Sequence, residues 1–347
     1  MSLHVFANVV TPYGTAANNR GTTDGNTTTL QKLLWQGETH TTVSAESIRF
    51  ALRRLLQSYE DTNRTWNESA NPKPRNEWKD DQFSGWASDD GKVYIDDDLL
   101  GFMSAQAAKE DSAEAELPSD GEGLVESDVA ELQEDSTTVK SASKRKSKNK
   151  TKGTVNLRRG VLELTRAISI TPWSGDVTFN ANTPWSNLGS KDKDNPGPYI
   201  AEMHATRYQY GFAITPERLR DRSRASIAIQ ALCKLGNVAG NQGRFLFDFS
   251  PETIVIRITD DPAPRLLYTF TTSDNGANID ASLLIKRVIA KDVEPSELWI
   301  GVSDLDSAMV KRLRDVGVTN IQGVKATAKS VCSEIEKQLG IERQSKC

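Results

Sequence analysis

Four short stretches of the chain carry residues of the kind that hold phosphate. The first is "THTTVSAESIRFALRR", residues 39–54. Ser44 suits a helix N-cap and Glu46 falls in the first turn, where the helix dipole favours negative charge. The same helix start would offer free backbone N–H groups, the Ser44 and Ser47 hydroxyls and the charges of Arg49 and Arg53 to an anion. An ordinary capped surface helix fits these residues as well. The second stretch is Asn18, Asn19, Arg20 and Gly21, in a loop rich in Thr, Asn and Gly. Amide side chains and a guanidinium there suit a backbone phosphate or the edge of a base; a plain surface loop has the same composition. The third is "GNQGR", where Gly243 lets the main chain approach closely and Arg244 supplies countercharge. A tight helix-to-strand connection reads identically. The fourth is the turn-rich excursion bounded by Trp173 and Trp185, which either pack on their own domain or wedge against bases.

Other chemistry has little support. There are three histidines, His4, His40 and His204, and no G-x-S-x-G to suggest a serine hydrolase. The P-loop pattern is missing. The carboxylates of "DDGKVYIDDDLL", Asp89, Asp90, Asp96, Asp97 and Asp98, read as a solvated acidic loop rather than a cation site. Cys233, Cys332 and Cys347 have no metal-like spacing and read as reduced thiols. No metal and no cofactor are expected. The first ten residues run at once into polar sequence, so no signal peptide is expected. No apolar run approaches the ~18 residues of a membrane span. A cytoplasmic protein without membrane contact is the expectation.

The net charge of -4 argues at first sight against a nucleic-acid partner. Its distribution reverses the argument. Glu110–Asp135 holds 11 acidic residues and no basic one, and Lys140–Lys152 holds 7 basic residues and no acidic one. Residues 61–152 carry 13 Lys+Arg against 21 Asp+Glu; the rest of the chain carries 30 against 26 and is mildly basic.

The elements that would position these residues follow from periodicity. In residues 3–10, Leu3, Val5, Ala7 and Val9 alternate as one face of a strand. Ile48, Leu52, Leu55 and Leu56 give the helix after Ser44 its buried stripe. Tyr208, Tyr210, Phe212 and Ile214 alternate in the strongest strand, and their aromatic face reads as core rather than as a base-stacking surface. A helix capped by Thr215, with Pro216 at its first position, should run to Gly236. "RFLFDF" and "TIVIRIT" should form a hairpin around "SPE". The order fits an α+β fold of the split β-α-β, ferredoxin-like type with two large insertions. The expected division is residues 1–60 and 155–280 as the principal domain, 61–154 as an insertion ending in a disordered acidic and basic segment, and 281–347 as a smaller α/β extension.

The motifs in their order resemble a known family. "VSAESIRFALRR" after an Asn/Gly/Thr-rich loop, "ATRYQYGFAITPERL" and "GNQGRFLFDFSPETIVIRIT" are similar to segments of the CRISPR-associated backbone subunits of type I interference complexes. These form the Cas-seven superfamily, and the nearer likeness is to its DevR-type autoregulator branch. The likeness covers residues 1–60 and roughly 155–260. It implies a hand-like subunit with an RNA-recognition-type palm, a fingers-like insertion and a β-hairpin thumb. It implies copies stacked head to tail along a guide RNA (crRNA), which pairs with a target DNA strand. Other complex subunits, and a nuclease-helicase or transposition proteins, would be further partners. Carried over, the grip comprises Asn18, Asn19, Arg20, Ser44, Ser47, Arg49, Arg53, Gly243 and Arg244. The thumb is the excursion of about 170–199, with Trp173 and Trp185 as wedges. The implied role is a scaffold with no catalytic residue. Two alternatives stay open: a metal-dependent target-RNA endonuclease using Asp24, and a DNA-binding autoregulator.

Overall fold

A computed structural model of the chain describes residues 2–17, 23–25, 27–67, 69–71, 75–105, 155–180, 199–239 and 247–341. They fall into two compact units, residues 1–102 with 158–347, and residues 103–157. The described residues of the second unit belong to a two-stranded sheet between Gly101–Ala105 and Val155–Arg159.

The first unit is built on a nine-stranded sheet. Its principal strands are β1 (His4–Val10), β2 (Lys32–Trp35), β3 (Glu38–Val43), β4 (Ala167–Ser169), β5 (Tyr208–Ile214), β6 (Thr253–Thr259), β7 (Leu298–Val302) and β8 (Asn320–Gln322), in the order β8-β7-β6-β1-β5-β4-β3-β2. The short strand Glu163–Leu164 adds to β5. All pairings are antiparallel except β7 with β8. Helices α1 (Ala45–Leu56), α3 (Arg224–Leu232) and α6 (Val324–Gln338) share a core with one face of the sheet. Helices α4 (Ser282–Ile289) and α5 (Ala308–Asp315) share a core with the other. Strand β1 sits between β5 and β6 and is buried on both faces. Val5, Ala7 and Val9 meet the α1/α3 side, and Phe6 and Val10 the α4/α5 side. Among the described residues no helix is long and apolar enough to cross a membrane.

Several sequence expectations are corrected. The hairpin of "RFLFDF" with "TIVIRIT" does not form among the described residues: β6 is already paired on both edges, by β1 and β7. Phe247 and Phe249 instead pack as rings against Tyr208 and Tyr210, with centroids 5.3–6.1 Å apart. The helix expected from Thr215 is broken. Pro216–Arg218 makes one 3-10 turn without a Thr215 side-chain cap, and α3 starts only at Arg224. The last segment adds β7 and β8 to the edge of the same sheet, and α6 packs on α3.

The largest correction concerns the acidic run. Asp96, Asp97 and Asp98 are not in a solvated loop; they open helix α2 (Ile95–Leu100) and are buried. Each buried carboxyl group has hydrogen-bond partners, as burial of a polar group requires. Asp98 accepts from Arg158 Nη2 (3.2 Å), Arg220 N (2.9 Å), Asp221 N (3.1 Å) and Arg224 Nη1 (3.0 Å). Asp96 accepts from Asn63 N (2.7 Å), Arg64 N (3.0 Å) and Arg53 Nε (3.2 Å). Asp97 accepts from the Asn63 side-chain amide at 2.8 Å. Asp89 and Asp90 are exposed, as a solvated loop requires. Beside α2 the chain crosses itself at two glycines. A Cβ on Gly101, whose φ is +69°, would lie 2.2 Å from the Arg158 carbonyl oxygen, and one on Gly160 would lie 2.7 Å from that of Leu100.

Two outcomes follow for stability. Asp98→Ala removes the carboxylate shared by two guanidiniums and two backbone donors, so denaturant unfolding should show a loss of about 3–5 kcal/mol. Asp97 behaves oppositely with pH. Burial, then the adjacent Asp96 carboxylate, push it up to about 7 from 3.8. Its contribution to stability is therefore complete below pH 3.8 and lost as pH rises through 7. Asp97→Asn should flatten that decline in melts collected between pH 4 and 8; an unchanged slope would assign it elsewhere.

Candidate nucleic-acid interface

Ser44 caps α1. Its backbone is extended (φ -69°, ψ 150°) and its Oγ accepts from Ser47 N at 3.2 Å, closing one of the helix's open donors. The Ser47 hydroxyl lies 3.1 Å from Ser44 Oγ. The Glu46 carboxyl is held below its usual range, first by a backbone N–H and then by Ser44, Arg49 and Arg166. Ile48, Leu52 and Leu56 are fully buried, so the face that carries Glu46, Ser47 and Phe50 is left outward.

The two arginines expected to act together do not. Arg49 stays near the helix start, its Nη1 3.7 Å from Glu46. Arg53 lies about 13 Å along the axis from the cap, at 1.5 Å per residue, and its Nε is held by buried Asp96. A positive charge that sequence reasoning missed comes instead from Arg166, whose Nη1 donates to Thr42 Oγ1 (3.2 Å) and Gln31 Oε1 (3.3 Å). It is more than a hundred residues away in sequence, and no local pattern marks it.

Asn18, Asn19, Arg20, Gly243, Arg244 and Trp185 lie outside the described residues. The ends of their segments do not. Ala16 and Ala17, which lead into the first loop, line one small cleft with Val43, Ala239 and Phe247, which flank the α1 start and the "GNQGR" turn. Gly14 backs onto the Phe247 ring so closely that a Cβ there would come within 3.2 Å. The described ends of these segments, far apart in sequence, thus meet beside Val43, just before α1.

The excursion is woven into the first loop. Gly14–Ala16 pairs with His204–Thr206, and Thr27–Thr28 pairs with Tyr199–Glu202, which pairs with Val177–Asn180. Asp24 is exposed in the two-residue strand Thr23–Asp24. Trp173 is fixed on its own domain. Its backbone N–H donates to Thr39 O (2.8 Å), its indole N–H donates to Met203 O (2.9 Å), and the Lys32 ammonium sits 4.0 Å from a ring centroid. Lys32 also donates to Glu202 at 2.7 Å. Tyr208, Tyr210 and Phe212 are buried in the core and offer no stacking face.

A buried polar network holds the root of the excursion. His204 Nε2 lies 3.1 Å from the Pro172 carbonyl, so it donates; Nδ1, 2.7 Å from Thr41 Oγ1, then accepts. The Tyr208 hydroxyl completes the chain to Thr41 at 2.9 Å. His40 Nδ1 donates to Ser169 O at 2.6 Å. This arrangement requires a neutral His204, and burial lowers its pKa to about 4 from 6.5. The unfolded chain takes up the proton first, so stability from this group is complete above about pH 6.5 and falls as pH drops toward 4. In His204→Gln, melts from pH 8 to 4 should lose this acid-side decline, and a decline of the same size would exclude His204 as its source.

No protein-family model matches the chain. A CRISPR-associated protein Cas7/Cst2/DevR of Myxococcus xanthus (strain DK1622) is 47% identical over 340 residues, covering 97% of this chain and 99% of that protein. Among solved structures, a chain of a CRISPR RNA-guided surveillance complex, pre-nicking, superposes with a TM-score of 0.54 at 12% identity, covering 96% of this chain and 100% of that one. A chain of a CRISPR RNA-guided surveillance complex superposes with a TM-score of 0.50 at 15% identity, covering 96% and 99%. At these identities the likeness is one of fold. The full-length identity settles the family: the chain belongs to the Cas7/Cst2/DevR family of CRISPR-associated proteins.

Proposed function

We propose that the chain is a non-catalytic backbone subunit of a type I CRISPR interference complex. Copies assemble head to tail along guide RNA and hold it for pairing with a target DNA strand. The observation that carries this reading is that Ala16 and Ala17, Val43, and Ala239 with Phe247, the described neighbours of residues 18–20, of the α1 start and of residues 243–244, line one cleft. Family membership and the fold shared with chains of surveillance complexes support it. The strand order β6-β1-β5-β4, with α1 after β1 and α3 after β5, is that of a ferredoxin-like plan and supports an RNA-recognition-type palm. In this reading the insertion from residue 61 forms the fingers and the excursion of about 170–199 the thumb.

Weak grips repeated along one strand add up, so a mildly basic subunit suffices and no intensely positive patch is needed. Phosphate contacts position the guide without reading it and leave base edges free for the target strand. The helix start, Ser47 and Arg49, and the two loops with Arg20 and Arg244 are the assigned contacts; Arg53 acts through Asp96 as a structural residue.

The protein should purify with a discrete small RNA. Ser47→Asp places a carboxylate in the first turn, where it favours the helix but repels phosphate, so RNA affinity should fall about tenfold with an unchanged melting temperature. Arg20→Ala with Arg244→Ala should reduce the salt slope of RNA binding by about 2. Wild-type affinity and slope in both variants would remove the assigned site. Duplex DNA bound more tightly than RNA across the salt series would favour the autoregulator. Regular cuts in matched target RNA with Mg²⁺, absent in Asp24→Ala, would overturn the non-catalytic reading.

A further inference from the structure

Helix α6 packs on α3 by one flank, where Cys332 Sγ donates to Ser226 O at 3.4 Å. Another flank forms a groove of about 540 Å³ with the edge of the sheet. Ala326, Lys329, Ser330 and Ser333 line the groove from the helix, and Trp299 of β7 and Gln322 of β8 line it from the sheet. The lining runs from Ala326 to Lys337, about 16 Å along the axis at 1.5 Å per residue. Its one carboxylate, Glu334, lies 3.7 Å from the Lys337 ammonium. Lys325 and Lys329 are exposed and have no ion pair among the described residues. Both placements work against the helix. Lys325 sits in a first turn that holds no acidic residue, at the positive end of the dipole, and like charges four residues apart repel. A local conflict of this kind is expected where something outside the helix resolves it.

We propose that this groove is the docking site for an acidic amphipathic helix of a partner protein, laid beside α6 on the sheet edge. None of the contacts assigned to guide RNA lines the groove, so the docking site stands apart from that reading. Ala326, Ser330 and Ser333 are small and share the groove face, so a second helix axis can approach to about 8 Å. Half-buried Trp299 supplies apolar surface beneath it. The length of the lining matches about three turns of a helix. An added strand fits less well: β8 has three residues, and Ile321 N already donates to Thr319 O at 3.0 Å. Carboxylates on the incoming helix meet Lys329 and Lys325 and turn their mutual repulsion into attraction, which selects an acidic partner over a basic or neutral one.

Full-length protein is titrated with a fluorescein-labelled helical peptide about four turns long, carrying Ala and Leu on one face and Glu on its flanks, and with the same peptide carrying Lys for every Glu. Anisotropy should show the acidic peptide bound at least about tenfold more tightly than the basic one. Lys325→Glu with Lys329→Glu should weaken the acidic peptide about tenfold, while the melting temperature holds or rises because the first turn gains a carboxylate. Ala326→Trp, which fills the groove from an exposed position, should abolish binding. Carbodiimide should join Lys329 to a Glu of the peptide. Failure of the acidic peptide to bind, equal affinity for the two peptides, or wild-type affinity in both variants would overturn the docking site. So would a carbodiimide link from Lys329 only to carboxylates of its own chain. Self-association lost in Ala326→Trp would replace the partner helix with a second copy, and a fall in RNA affinity alone in the double lysine variant would replace it with nucleic acid. The guide-RNA reading is tested separately by Ser47→Asp, Arg20→Ala and Arg244→Ala, and stands or falls without this groove.

Discussion

Three consecutive buried carboxylates organise what surrounds them. Burying a carboxylate costs several kcal/mol unless donors surround it, and Asp96 and Asp98 each gather several. Asp98 gathers two arginines and two backbone amides, which fixes the approach to α3; Asp96 gathers Arg53 and the start of the Arg64–Asn67 strand. The C-terminal half of α1 is thereby locked by a buried charge pair. The N-terminal half is held by its apolar stripe and cap, and its face with Glu46, Ser47 and Phe50 points outward. Arg49 and Arg53, alike in sequence, are divided between the two halves by this one constraint.

That division could not be read from the chain. Arg224 and Arg158 are 126 and 60 residues from Asp98, and three aspartates in a turn-rich stretch look solvated by composition alone. The stripes were readable because they are local. Ile48, Leu52 and Leu56 repeat at the helical period, and Val5, Ala7 and Val9 at the strand period, so their buried faces follow from spacing. "RFLFDF" alternates as well as any strand, yet strand pairing is a competition between distant segments, and β1 and β7 occupy both edges of β6.

For the site, residue type was more legible than availability. Ser44 and Glu46 announce a helix start, and the structure keeps that role for them. Trp173 has the composition of a wedge, but two hydrogen bonds and the Lys32 ammonium commit it to its own domain. Arg166 carried no signal, because its neighbourhood is created by the pairing of β4 with β3.

The glycine crossing has a practical meaning. Because Gly101 and Gly160 bring the two ends of the intervening segment together inside the first unit, the main sheet is indifferent to how long that segment is. Doubling a loop whose ends are already joined adds only about 0.6 kcal/mol of closure entropy. The crossing is therefore a natural port, where a shortened linker, an affinity handle or a fluorescent domain could replace the charged stretch while the helix and loops proposed to hold the guide keep their positions.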